Sequence, residues 1–203
     1  GLGMERDWAG EGRIHASDMP SPEDIGRLAA ERTIARRGAQ KPPTGAFPII
    51  YDERVAAGLI GHLVSAVSGT AIARGASWLR NALGEAVLPP GFDLREDPHL
   101  LRQGNSRLFD AEGLPTAPRL IVQDGILKGW TLDLATGRKL GMASTASAMR
   151  GAGSPPAPGV TNLELTPGRQ TRDELIRDMG RGLVVTSMLG ASAVIAAESV
   201  HAF

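Results

Sequence analysis

Between Arg54 and Arg74 the chain carries no charged residue for 19 positions. A run of that kind is either a buried element or a membrane span, and the choice dictates what packs around it. A spanning helix needs about 20 predominantly apolar residues. Here Gly, Ala, Ser, Thr and His make up most of the run, so a buried helix is the better reading and no membrane partner is expected. The apolar spacing predicts a helix over 52–69 with Val55, Leu59, Ile60, Leu63, Val64 and Val67 on one broad face. At about 100° per residue, His62 falls off that stripe beside Gly58, Gly61 and Ser65. A histidine on a face of small residues predicts a closely packed neighbour.

The flanking segments give an α+β fold with mostly antiparallel pairing around this Gly/Ala/Ser-rich helix. "PSPEDIGRLAAERTIARRG" reads as a helix, with Ser21 as cap, Pro22 at its first position, Arg36 and Arg37 near its end and Gly38 as stop. "GMERDW" reads as an edge strand or loop, "AQKPPTG" as a linker, and "AFPIIYD" and "LVVTSML" as short buried strands. "ASWLRNALGEAV" predicts a further helix, and "RGAGSPPAPG" a flexible loop. "RLIVQDGILKGWTLDL" alternates around Asp124-Gly125, the strongest hairpin signal in the chain. In "TRDELIRDMG", Thr171 and Glu174 have capping-box spacing and Gly180 is the stop. Nothing suggests regular βαβ alternation or a phosphate-binding glycine loop.

Composition removes several chemistries. Cysteine is absent, which excludes disulfides, thiolate ligands and a thiol nucleophile. Lys and Arg together number 22, as do Asp and Glu, so the overall charge gives no reason to expect a nucleic-acid partner. No signal peptide is visible at the start of the sequence, and a cytoplasmic location is expected. His15, His62, His99 and His201 are too far apart to form a local zinc motif. For His62 alone, a structural or interface role is favoured over ligation. Asp110 and Glu112, two apart in "FDAEG" before Gly113, would share a face of a strand but read better as a polar turn. Ser65, Ser68, Ser144 and Ser147 have no nucleophile-elbow context.

The order of the short motifs adds a resemblance. "GMERDW", the capped helix, "GLIGHLVSAVSG", "PHLLRQGNSRLFDAEG", "IVQDGILKGW", "GRKLGMAST", "GVTNLEL" and "MGRGLVVTSMLG" together resemble the TldD/PmbA family, and the PmbA (TldE) branch above all. That resemblance implies a cytoplasmic heteromeric metalloprotease that degrades or matures unfolded peptides, including microcin precursors and antitoxins. The family is also named for modulation of DNA gyrase. It further implies that zinc belongs to a TldD-type partner subunit, whose helix carries an HExxxH motif and whose third ligand is a cysteine further along. Laid over this chain, His62 matches the first histidine, Leu63 stands at the glutamate and Val67 at the second histidine. The expectation is therefore a non-catalytic subunit with no cofactor of its own. His62, Asp110, Glu112, Gly113, Thr161 and Asn162 are the candidates for facing the partner or the peptide.

By the same resemblance, residues 1–19 are expected to be a remnant of an N-terminal domain strand and 20–41 a linking helix and linker. Residues 42–190 would be an incomplete PmbA/TldD-like central and C-terminal domain, and 191–203 a divergent tail. Two alternatives stand beside this reading: a metallopeptidase active in its own right, and a truncated interaction fragment.

Overall fold

A computed structural model describes residues 4–38 and 43–188. Part of the "AQKPPTG" linker and the tail expected over 191–203 lie outside the described residues. The chain divides into two compact units, Gly1–Ala46 with Leu101–Gly104, and Phe47–Leu100 with Asn105–Phe203.

In the first unit, α1 (Pro22–Ala35) starts as its sequence predicts. The Ser21 hydroxyl accepts from the Asp24 amide at 3.1 Å, and Pro22, which has no amide to leave unpaired, occupies the first turn. The "GMERDW" segment forms no strand and runs beside this helix. Asp7 fixes it there: its amide donates to the Thr33 hydroxyl at 3.1 Å and its carboxylate accepts from Arg36 at 3.0 Å. A single 3-10 turn, Ala16–Asp18, is held by a two-pronged contact from Arg102 to the Asp18 carboxylate, both arms at 2.8 Å.

The second unit is built on a four-stranded antiparallel sheet in the order β4-β3-β2-β7. These strands are β2 (Leu94–Asp97), β3 (Arg119–Gln123), β4 (Ile126–Leu127) and β7 (Asn162–Leu165). In β3 the consecutive residues Ile121 and Val122 are both fully buried. Neighbouring strand residues point to opposite faces, so the sheet is covered on both sides there. A short pair, β5 (Ala148–Met149) with β6 (Ala157–Pro158), closes the loop expected at "RGAGSPPAPG", whose residues 150–156 form no strand or helix. The expected buried strands form as β1 (Ile49–Tyr51) and β8 (Leu183–Val185). They pair parallel with each other and are only half covered, Ile49 being 37% exposed.

The uncharged run folds as two helices, α2 (Glu53–Ala66) and α3 (Gly69–Ala73), not one. The helix expected through residue 69 stops early because another segment takes over its hydrogen bonds. Thr131 donates its amide to Val67 O at 2.9 Å and accepts the Gly69 amide at 2.8 Å. Leu63, Ala66 and Val67 join Leu79, Leu94, Val122 and Leu127 in the core, with Ile60 and Val64 packed against it. Leu59, expected on the buried stripe, is 40% exposed.

"ASWLRNALGEAV" is not a helix. Ser77 donates its hydroxyl to Ala66 O at 2.5 Å, and the segment beyond forms isolated turns (Ala82 to Leu79 O, Glu85 to Ala82 O) before pairing with β4. The Gly84 amide donates to Leu127 O and the Leu127 amide to Glu85 O. The hairpin forms where expected, with Asp124 and Gly125 both at positive φ, 49° and 77°. A helix that the sequence reading passed over, α4 (Leu134–Leu140), carries a capping box between Asp133 and Thr136 and ends on left-handed Gly141. The capping box of α5 (Arg172–Met179) forms between Thr171 and Glu174 as expected.

Asp52 starts α2. Its carboxylate accepts from the Arg54 amide at 3.3 Å and from Arg54 Nε at 2.9 Å, and lies 3.6 Å from Arg172. Burial acts to raise its pKa, but the Arg54 hydrogen bonds and the charges of Arg54 and Arg172 outweigh it and hold the carboxyl below its usual range. A folded pKa below the unfolded one contributes stability above about pH 4 that is lost as the pH falls through the folded value. Asp52→Ala is accordingly expected to cost about 1–2 kcal/mol at neutral pH, the usual range for a lost cap. The gap between wild type and variant in urea unfolding should narrow as the pH is lowered from 6 toward 3, values on the order of the carboxylate range. A gap that does not change with pH would show that the carboxylate charge contributes nothing.

Candidate functional site

At the break between α2 and α3 the second unit opens into a cleft of about 590 Å3. That size lies within the range of small-molecule and peptide-fragment sites. One wall is the helix break itself, with Val64, Ser65, Ser68, Thr70, Ala71 and Arg74. Thr131 sits at the bottom of that wall because its backbone bridges the break. The remaining wall comes from β5, β6 and the residues just after them: Met149, Pro158, Gly159 and Val160. Met149 closes tightly over Gly159, where a Cβ would stand 2.4 Å from the methionine sulfur. Any larger residue at Gly159 would displace the Met149 side chain.

The chemistry of the lining is limited to hydroxyls, aliphatic side chains and one cation, Arg74. No carboxylate, imidazole or thiol lines it. Ser65 donates its hydroxyl back to Gly61 O at 2.8 Å. Nucleophilic or general-base hydrolysis requires a base within hydrogen-bond reach of the attacking oxygen. Among the described residues no carboxylate, imidazole or thiol of the lining stands beside these hydroxyls.

None of the six candidate residues named from the sequence lines the cleft. His62 sits half-buried on α2, and the face expected to pack closely is open among the described residues. Gly58, Gly61 and Ser65 are exposed there, and a Cβ added at either glycine meets nothing within 4 Å. Asp110 is buried at 3% exposure, and its carboxylate accepts the amides of Glu112 and Leu114 at 2.9 Å and of Ala148 at 3.1 Å. Gly113 takes the positive φ of 81° in the turn this creates. Glu112 reaches instead to the first amide of α4, accepting from Leu134 at 2.8 Å, where a carboxylate favours the helix N-terminus. Thr161 and Asn162 tie β7 to β2, Thr161 to the Glu96 carboxylate and Asn162 to Asp97 O at 2.9 Å. Of the lining residues the sequence brings forward Val64 on the apolar stripe and Ser65 and Ser68 as serines without a base; Thr131, Met149, Pro158, Gly159 and Val160 carry no signal that joins them to that run.

Zinc does not fit this chain as the HExxxH pattern would place it. Leu63 and Val67, at the positions of the glutamate and the second histidine, are 6% and 0% exposed and belong to the core. Val67 lies beyond the last helical residue, Ala66. Among the described residues no three His, Cys, Asp or Glu side chains group closely enough to hold a metal ion.

An antiparallel sheet backed by a broken helix, with an open hydroxyl-lined cleft at the break, is an α+β domain of the PmbA/TldD fold. The chain belongs to the family described as the PmbA/TldA metallopeptidase C-terminal domain, which matches residues 44–200 and so runs into the segment that sequence reading set apart as a tail. It is 37% identical to Metalloprotease PmbA of Escherichia coli O157:H7 over 187 residues, 92% of this chain and 40% of that protein. A Haemophilus influenzae PmbA homolog is 38% identical over 85% of this chain and 36% of its own length. The chain thus spans about two fifths of the curated relatives it matches. A Thermotoga maritima structure, described as a candidate modulator of a DNA gyrase, superposes with TM-score 0.78 at 30% identity, over 88% of this chain and 40% of that one. TldE of Thermococcus kodakarensis shares the fold, with TM-score 0.74 at 23% identity over 83% of this chain and 39% of that one. Among the described residues no helix is long and apolar enough to cross a membrane.

Proposed function

We propose that this chain is part of a non-catalytic PmbA (TldE)-type subunit of a cytoplasmic TldD/TldE-like metalloprotease complex, where it holds unfolded peptide without cutting it. The observation that carries the reading is the burial of Leu63 and Val67. A buried leucine and a buried valine occupy the two positions that would have to turn outward to hold or activate anything beside His62. The cleft supports the same reading, since its hydroxyls and apolar wall suit an extended backbone and offer no base. Zinc, in this reading, belongs to the TldD-type partner. The open face around His62, Gly58 and Gly61 suits contact with that partner at close range.

The purified chain should bind a fluorescently labelled unfolded peptide in anisotropy titrations and leave it intact. Cleavage should begin only when a TldD-type subunit is added. Cleavage by the chain alone, abolished by a chelator and by His62→Ala, would overturn the proposal.

A further inference from the structure

Behind the cleft, Glu96 of β2 and Arg119 of β3 stand opposite each other in register. Glu96 is 4% exposed, and Arg119 Nε donates to its Oε2 at 2.8 Å. Neither group is used up by this contact. Arg119 also donates to Trp130 O at 3.0 Å and to the Thr131 hydroxyl at 2.9 Å. The other Glu96 oxygen accepts both the amide and the hydroxyl of Thr161, at 2.7 and 3.0 Å.

One end of this network lines the cleft and the other stands next in the chain to residues that line it. Thr131 lines it and bridges the α2–α3 break through Val67 O and the Gly69 amide. Thr161 directly follows Gly159 and Val160, which line it from the β6 side. A buried ion pair is poor value as a source of stability, because desolvation offsets most of its attraction and a packed apolar pair does as well. An apolar pair could not hold oriented groups on two further segments, Trp130–Thr131 and Thr161. The fork of an arginine and the two oxygens of a carboxylate can.

We propose that Glu96 and Arg119 are positioning residues that set the geometry of the cleft, Arg119 through Thr131 and Glu96 through Thr161. The ligand consequence rests on the reading of the cleft as a peptide site; the geometric claim does not. Two gentle variants of the full chain test it, Arg119→Lys and Thr161→Val, by amide hydrogen exchange alongside anisotropy with the labelled unfolded peptide. Lysine keeps the charge beside Glu96 but cannot also reach Trp130 O and the Thr131 hydroxyl. The Gly69 amide should therefore exchange about tenfold faster, as expected for loss of a charge-assisted hydrogen bond, with Val122 in the sheet unchanged. Thr161→Val removes the hydroxyl bond to Glu96, keeps the amide one, and should leave Gly69 exchange as in wild type. Both variants should bind the peptide several-fold more weakly than wild type. Unchanged exchange at Gly69 in Arg119→Lys, or equal acceleration at Val122, would overturn the proposal and reduce the pair to a sheet contact. If exchange changes locally as expected but wild type binds no peptide, the positioning role stands and the peptide reading of the cleft falls.

Discussion

Writing the HExxxH pattern onto α2 by Leu63→Glu and Val67→His is expected to unfold the protein, not to give it zinc. Leu63 packs in the core at 6% exposure and Val67 at 0%. A glutamate at 63 would lose the leucine's burial and place a carboxyl in the apolar cluster that holds Leu94 and Val122. Such a group raises its pKa and goes neutral, and still costs several kcal/mol. Histidine at 67 adds overpacking of about 1–3 kcal/mol. A second cost is an imidazole nitrogen without a partner, about 1–3 kcal/mol. The sum is comparable with the whole stability of a domain, on the order of 5–15 kcal/mol. Urea unfolding and metal analysis of the dialysed double variant decide the matter. A cooperatively folded variant holding one zinc per chain would show that α2 can turn these positions outward.

Gly125→Ala is expected to cost about 3 kcal/mol or more. Its φ of 77° lies in the left-handed region, where a side chain costs roughly 1–2 kcal/mol. The larger part comes from its neighbours. A Cβ there would stand 2.3 Å from Leu88 O and 2.7 Å from Pro89 O. Those oxygens are backbone, held in place because Val87 and Leu88 donate their amides to Gly125 O and Gly125 donates its own to Phe92 O. Neither side can withdraw without breaking the hairpin's attachment to the preceding loop. Gly84 and Gly113 make the comparison, with φ of 85° and 81° and nothing within 4 Å of an added Cβ. Alanine at those positions should cost only the conformational part, about 1–2 kcal/mol. Thermal melts of the three variants separate the two contributions. Equal losses at all three would mean that the close approach at Gly125 is relieved cheaply.

The amino-acid sequence by itself determined what depends on neighbours along the chain. Ser21 and Pro22 start α1, Thr171 and Glu174 start α5, and Asp124-Gly125 turns the hairpin, because each of these signals acts through backbone groups within a few residues. The mixed fold class and the family were legible for the same reason, in short motifs kept in order. Asp133, Thr136 and Gly141 carried an equally local signal for α4 that the apolar alternation around it concealed. Tertiary structure alone decided where distant segments compete for the same hydrogen bonds. Thr131 ends the helix at Ala66 by taking Val67 O, and β4 draws residues 84–87 out of the helix that their spacing favours. It also decided the site. Asp110 and Glu112 form the polar turn their sequence favours, but only the fold shows which amides their oxygens accept, those of Leu114, Ala148 and Leu134. The cleft joins residues 64–76 to Thr131 and to Met149 and residues 158–160, segments that the sequence keeps far apart.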